Sequence, residues 1–206
     1  MPVMKLSTEQ ELSRARMYGL LGKLYDAPPS PDLLRELRKT GFYESDTRQG
    51  SITDDSAELS VEFTRLFLGP GPHVAPFASV YRRDDTRSGQ LWGSTTAEVK
   101  RFMEHYGLSL NNPGAIPDHI AILFEFMERV IRTKLDMCGS TTVRSNREEA
   151  IKQAEEVEKT FFNSYLGEWT DLFFAAVEKA SPHPFYRSLV QHTKDFLAEE
   201  KEYFMT

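Results

Sequence analysis

Apolar residues recur along most of this chain with the three-to-four-residue period of amphipathic α-helices. The first such segment begins at Ser7, where Ser7 and Gln10 have the spacing of a capping box, and runs to about Tyr25. Ser30 and Pro31 then begin a short helix that ends before Gly41, because serine caps well and proline fits the first turn. The same periodicity predicts further helices over residues 54–68, 95–106, 117–137, 146–166, 169–180 and 184–204. Thr95 or Thr96 is predicted to cap the second of these.

Proline and glycine separate these segments. The run from Gly69 to Pro72 ends one helix, and a long non-helical connection follows to about Gly93. Loops of this length inside compact domains are uncommon and often functional. Within it, Val80-Tyr81 is predicted to be briefly extended, without a strand partner. The pattern as a whole predicts an all-α fold, an irregular single-domain bundle of about eight helices.

The domain organisation follows from the same pattern. We expect one helical domain over residues 1–206, with an N-terminal part at 1–137 and a C-terminal part at 143–206. Residues 138–142, Cys-Gly-Ser-Thr-Thr, are a candidate hinge between them. Cys138 is the single cysteine, so no intramolecular disulfide forms, which suits a reducing compartment.

Composition and charge narrow the function. Hydrophobic residues make up 40% of the 206 residues and charged residues 27%, as in ordinary globular domains. The formal net charge of −6 disfavours nucleic acid as a partner. The polar residues near the start predict no signal peptide, and no apolar run is long enough to span a bilayer. We therefore expect a cytoplasmic protein without membrane insertion.

Motifs of catalytic sites are missing from the sequence. It has neither the glycine-rich loop of nucleotide hydrolases nor the nucleophile elbow of serine hydrolases. The five histidines are dispersed, whereas zinc and di-iron sites need clustered ligands. We therefore predict no catalytic residues, no metal site and no enzyme activity.

Asp118 and His119 are the most prominent polar pair. They follow Pro117 at a predicted helix start. In one interpretation both are structural: Asp118 caps the helix, and the ring of His119 is packed and partly buried. The alternative is a recognition point, at which Asp118 accepts hydrogen bonds from a cationic partner. Glu125, two turns further on, is a second acid on roughly the same face or a solvent-facing residue.

Two aromatic residues in the long connection also have two interpretations. Tyr81 and Trp92 combine an aromatic body with a polar group, a type favoured at binding surfaces. Alternatively, they pack the loop onto the core. The sequence leaves both interpretations open.

Several of these motifs together resemble a known family. The run 62–70, followed by Pro76 and by Ser79-Val80-Tyr81, resembles one signature of the TorD/DmsD/NarJ-like redox enzyme maturation chaperones. Pro117-Asp118-His119, followed by Glu125-Phe126-Met127, resembles their second signature. Residues 91–108 and 184–200 also fit, so the resemblance covers the chain from about residue 12 to residue 204.

The resemblance implies an all-helical, TorD-like, cytoplasmic chaperone without catalytic turnover. Such proteins bind the apoprotein of a molybdenum-cofactor oxidoreductase, commonly at its twin-arginine signal peptide, and hold it until the cofactor is inserted. The family also implies a monomer or a domain-swapped dimer, and no cofactor beyond weak GTP binding. A NarJ-like chaperone for the mature part of a non-exported reductase subunit is the main alternative, and a nucleotide-binding protein is a weaker one.

The family signatures also define a candidate peptide-binding set. A twin-arginine peptide needs acids for its guanidinium groups and an apolar groove for its other side chains. This sequence departs from the family at Ala78, where an acid is common. The candidate residues are Gly69, Pro70, Pro76, Tyr81, Trp92, Asp118, His119, Glu125, Phe126 and Met127.

Overall fold

The computed structural model describes residues 6–43, 51–69, 72–82, 92–110, 112, 114–139, 144–167, 169–180 and 182–205. Within these ranges the chain forms nine α-helices and no strand, apart from one isolated bridge between Phe77 and His119. The helices are α1 Thr8–Asp26, α2 Pro31–Lys39, α3 Ile52–Phe63, α4 Ala78–Tyr81, α5 Ser94–His105, α6 Ile120–Gly139, α7 Arg144–Phe161, α8 Thr170–Lys179 and α9 Pro184–Met205. The predicted all-α fold is confirmed.

Two helices continue into π-helical turns. Thr64–Leu68 extends α3, and Phe162–Leu166 extends α7. The sequence predicted uninterrupted helices here, because side-chain periodicity does not distinguish a widened last turn from an α-helical one.

Serine caps fix three helix starts. Ser7 accepts a hydrogen bond from the Gln10 backbone at 3.2 Å, and the Gln10 side chain accepts one from the Ser7 backbone at 2.8 Å. This confirms the capping box predicted for α1. Ser30 caps α2 in the same way, and Ser51 caps α3. The Ser51 cap was not predicted, so α3 begins two residues earlier than expected.

The core is built around the apolar faces of α1 and α6. These two helices pack against each other more extensively than any other pair in the described part of the chain. Helix α7 packs on α6, and α9 contacts α1 and α8. Each fully buried large apolar side chain stabilises the fold by about 1.5–3 kcal/mol relative to its exposed state. The largest buried side chains are aromatic and come from α1, α6 and the C-terminal third of the chain: Tyr18, Tyr25, Phe124, Phe161, Phe162, Trp169, Phe173, Phe174, Phe185 and Tyr186.

Three local predictions were wrong. Val80 and Tyr81 are helical rather than extended, because residues from elsewhere in the fold bind the start of α4. Thr95 and Thr96 do not cap α5; both are buried in its first turn, and Gly93 is the capping residue without a side-chain hydrogen bond. Helix α6 begins at Ile120 rather than at Pro117.

The predicted hinge lies only partly within the described residues. Cys138 is exposed near the end of α6, which continues to Gly139, whereas residues 140–142 are outside the described ranges. The division into two parts stays a prediction. Of the helices in the described ranges, none is long and apolar enough to cross a membrane.

Candidate functional site

Asp118 joins the two sequence signatures in space. Its backbone oxygen accepts a hydrogen bond from the Ala78 N–H at 3.0 Å, and its carboxylate Oδ2 accepts one from the Ser79 N–H at 2.7 Å. The Pro76 carbonyl in turn accepts the Ile120 N–H at 2.9 Å. Asp118 is therefore a helix cap, but it caps α4, from 39 residues away, instead of its own helix.

The burial of Asp118 changes its predicted role. The residue is 0% exposed, and its Oδ1 atom has no hydrogen-bond partner among the described residues. A carboxylate in this position does not reach a peptide on the surface. The structure corrects the expectation of direct contact: Asp118 is a buried residue that holds the first turn of α4 against the start of α6.

His119 is a packed ring, as one of its two interpretations expected. Its Nδ1 accepts a hydrogen bond from the Ala121 N–H at 3.2 Å, and its ring meets Phe77 edge-on at 5.0 Å between centroids. Burial lowers the pKa of His119, while the charges of Asp26 and Asp118 oppose that shift. The ring is therefore neutral at pH 7, with its proton on Nε2 because Nδ1 accepts.

A groove runs between α1, α6 and the segment that joins α5 to α6. We call it the α1–α6 groove. Its first compartment, of about 290 Å³, combines apolar and polar side chains and is lined by Asp26, Met103, Leu108, Ser109, Leu110, Asn112, Ala115, Ile122, Glu125, Phe126 and Arg129. Its acidic compartment, of about 300 Å³, is lined by Gly19, Gly22, Lys23, Asp26, Ala121, Ile122, Glu125 and Glu128. The two compartments share Asp26, Ile122 and Glu125, and are therefore adjacent.

Charge is unevenly distributed along this groove. In the lining of the acidic compartment, Asp26, Glu125 and Glu128 face a single basic residue, Lys23. Asp26 and Glu125 are exposed, whereas Glu128 is paired with Arg132, whose Nε donates to Oε1 at 2.7 Å. Exposed carboxylates beside apolar side chains such as Met103, Leu108 and Phe126 are suited to binding a segment that carries both cationic and apolar side chains.

Small residues on α1 and α6 shape the α1–α6 groove. At Gly22, an added Cβ would lie 3.3 Å from the Ala121 carbonyl oxygen of α6, so the two helix backbones approach closely there. This close approach places the acids of α6 beside the end of α1 that carries Asp26. The shape of the groove therefore follows from glycine on α1 and alanine on α6.

The structure distributes the predicted site residues among several places. Glu125 is exposed in the groove, and Phe126 lies under it, 4% exposed and stacked on Phe161 at 4.1 Å. Met127 is fully buried in the core, so the expectation that it lines a peptide groove is corrected. The periodicity of α6 explains this, because successive residues of a helix face different directions.

The residues of the long connection lie away from the groove lining. Tyr81 is stacked on Trp169 at 5.7 Å, and Pro76 is buried against the start of α6. Gly69 follows the first π-helical turn, and Pro70 lies outside the described residues.

Trp92 is 63% exposed and has a φ of 65°, in the left-handed region that non-glycine residues seldom adopt. Residues held in such sparsely populated backbone conformations cluster at functional sites. Its predicted part in peptide binding stays a prediction.

Sequence reasoning missed Asp26, Gly19, Gly22 and Glu128. A signal was present, since Gly19 and Gly22 on α1 and Glu125 and Glu128 on α6 each have the i, i+3 spacing of one helix face. What the sequence did not reveal is that these two faces meet. Among the described residues, no group of three or more His, Cys, Asp and Glu is placed to hold a metal ion.

Comparison with known proteins identifies the family. A model of the nitrate reductase delta subunit family matches residues 32–175, which is more than half of the chain. This chain belongs to that family. The family resemblance expected from the signatures is confirmed.

A curated relative is the chaperone protein YcdY of Escherichia coli (strain K12). It is 26% identical over 144 residues, which cover 70% of this chain and 64% of the relative. The match thus spans less than two thirds of the relative's own length. Family and relative are chaperones rather than catalytic enzymes, as the sequence analysis expected.

Proposed function

We propose that this protein is a cytoplasmic assembly chaperone that binds the twin-arginine signal peptide of a molybdenum-cofactor oxidoreductase. It would hold the apoprotein until the cofactor has been inserted. Membership of the nitrate reductase delta subunit family and similarity to a chaperone protein support the general role. The α1–α6 groove supports the kind of ligand.

The observation that carries the proposal is that the two compartments lie side by side and share Asp26, Ile122 and Glu125. An apolar side chain bound between Met103, Leu108 and Phe126 would lie next to the carboxylates of Asp26 and Glu125. A twin-arginine signal peptide has the same arrangement, with guanidinium groups beside an apolar stretch. The net charge of −6 would also attract a basic peptide to this protein.

Isothermal titration calorimetry with a synthetic twin-arginine signal peptide tests the proposal. We expect saturable binding that weakens with salt, and about tenfold weaker binding to Glu125→Gln, because a charge-assisted hydrogen bond is lost. Glu156→Gln, an exposed acid on α7 outside the groove, should bind like the wild type. A peptide with both arginines replaced by glutamine is the matched ligand control.

Two results would contradict the proposal. One is the absence of binding to any twin-arginine peptide. The other is equal binding of the arginine and glutamine peptides, which would show that the groove carboxylates do not recognise the arginines.

The family description favours one alternative, a chaperone for the mature part of a reductase subunit. Pull-down of a reductase apoprotein with and without its leader distinguishes the two. Capture that depends on the leader supports signal-peptide binding, whereas equal capture supports the alternative.

A further inference from the structure

Gly19 and Glu128 are in direct contact across the acidic compartment. A Cβ built on Gly19 would lie 2.5 Å from Oε2, 2.6 Å from Cδ and 2.7 Å from Oε1 of Glu128. Such distances are far shorter than van der Waals contact. The whole carboxylate of Glu128 therefore occupies space that exists only because residue 19 has no side chain.

The other side of this carboxylate is also fixed. Arg132, one turn further along α6, donates from Nε to Glu128 Oε1 at 2.7 Å, and the Glu128 side chain is 23% exposed. The carboxylate is thus held between the bare backbone of α1 and a guanidinium, in the groove lining and not extended into solvent.

Glu128 is the neighbour of Glu125 on one helix face. Residues three apart on a helix have Cβ atoms about 5–6 Å apart, so the two carboxylates are close enough to bind two cationic groups of one extended segment. Glu125 has no ion pair within the described part of the chain. In Glu128, the hydrogen bond to Arg132 uses Oε1, so that Oε2 is left to accept a hydrogen bond from a ligand.

We propose that Gly19 is a positioning residue, which holds the Glu128 carboxylate in the groove lining so that it binds a second cationic side chain beside the one at Glu125. This inference rests on the proposed function. It refines the site by assigning Glu125 to one cationic side chain of the peptide and Glu128, held in place by Gly19, to the other.

The test is Gly19→Ala in the full chain, titrated with the same twin-arginine peptide. The added methyl group displaces only the end of a flexible side chain, so the urea midpoint should be retained, while peptide affinity falls about tenfold, as for Glu128→Gln. The salt dependence of binding should also flatten, which a purely structural change would not cause.

A double variant provides the rescue. Aspartate is one methylene shorter than glutamate, so Gly19→Ala with Glu128→Asp should recover affinity to within about twofold of wild type. Gly167→Ala is the matched glycine control, because its Cβ would meet only ordinary contacts, the nearest at 3.6 Å.

The outcomes separate the two proposals. If the wild type binds no peptide, the proposed function fails, and this inference fails with it. If the wild type binds but Gly19→Ala binds equally well, only the inference is overturned. It is also overturned if Gly19→Ala loses affinity together with its urea midpoint and the aspartate variant restores neither.

Discussion

Helices α1 and α6 carry carboxylates at both ends of their shared interface, and the two ends differ in burial. At one end, Glu11 of α1 lies in a buried ionic cluster with Arg14, Lys134, Glu158 and Glu200. At the other end, the α1–α6 groove carries Asp26 and Glu125, which are exposed, and Glu128, which is partly exposed and paired with Arg132. Burial and pairing, and not the type of residue, separate a structural acid from one that is available to a ligand.

The buried ionic cluster is held by short contacts. Arg14 donates from Nε and Nη2 to the two carboxylate oxygens of Glu200, at 2.6 and 2.7 Å, and from Nη1 to Glu11 at 2.7 Å. Lys134 Nζ lies 2.6 Å from Glu158 and 2.8 Å from Glu11. The cluster thereby ties α7 and α9, from the C-terminal part, to α1 and α6.

The cations of this cluster are stabilised by their neighbours. Burial alone would lower the pKa of Arg14, but the hydrogen bonds and charge of Glu200, followed by Glu158 and Glu11, outweigh burial and raise it. The pKa of Lys134 is raised in the same way, chiefly by Glu158 against the effect of burial. Removing one cation therefore leaves the three buried carboxylates of Glu11, Glu158 and Glu200 with a single cation.

Removal of Arg14 should have the largest effect on stability. We expect Arg14→Ala to lower the free energy of unfolding by about 3–5 kcal/mol, because Glu200 loses its ion pair while it stays buried, and Glu158 keeps only Lys134. Urea denaturation measures the change. Arg35→Ala, which breaks an exposed pair with Asp32, is the control and should change stability by less than about 1 kcal/mol. Equal losses of stability in Arg14→Ala and Arg35→Ala would contradict the conclusion that burial makes an ion pair structurally important.

Asp118 gives an intermediate case, since it is buried but bonded to backbone instead of to a cation. Asp118→Ala should cost about 1–3 kcal/mol, because the Ser79 N–H loses its acceptor. Asp118→Asn keeps an acceptor oxygen and should cost less. The fluorescence of Trp169, stacked on Tyr81 of α4, should respond to the alanine variant in the native state. An alanine variant as stable as the wild type would show that the contact with α4 is dispensable.

Glu158 should make the stability of the cluster depend on pH. It is 0% exposed, and burial raises the pKa of its carboxyl despite the opposing charges of Lys134 and Arg14. A group with a higher pKa in the folded state binds more protons when folded, so its contribution to stability is lost as pH rises through the raised pKa.

The variant Glu158→Gln isolates this contribution. We expect the free energy of unfolding of the wild type, relative to that of this variant, to fall as the pH rises above the ordinary glutamate pKa of about 4.3. Urea midpoints of both proteins measured between acid and neutral pH supply the comparison, with Glu156→Gln as the exposed control. A stability difference that is constant with pH, or rises with it, would refute the assignment.

Glu125→Gln should have the smallest effect on stability. Its side chain is exposed in the groove, so the free energy of unfolding should change by less than about 0.5 kcal/mol. The same variant should bind the peptide about tenfold more weakly, as the proposed function requires. A substantial loss of stability here would mean that the groove acids are structural, like those of the buried cluster.

Local chemistry made most of the helices predictable. The Ser7–Gln10 capping box and the Ser30-Pro31 start are encoded within four residues, and the structure has both. Glu125 and Phe126 were also predicted as site residues and now line the groove. Their partners were not predicted, because the wall of the groove formed by α1 lies about a hundred residues earlier in the chain.

The sequence by itself determined that this protein is helical, where most of its helices begin and end, and which family it belongs to. Helix periodicity, capping residues and proline act over a few residues, so a linear pattern contains them. Only the tertiary structure decided what each acid does. Asp118 caps a helix 39 residues away, and Arg14 binds Glu200 across 186 residues. Burial and pairing depend on which helix faces meet, and that depends on the packing of the whole core.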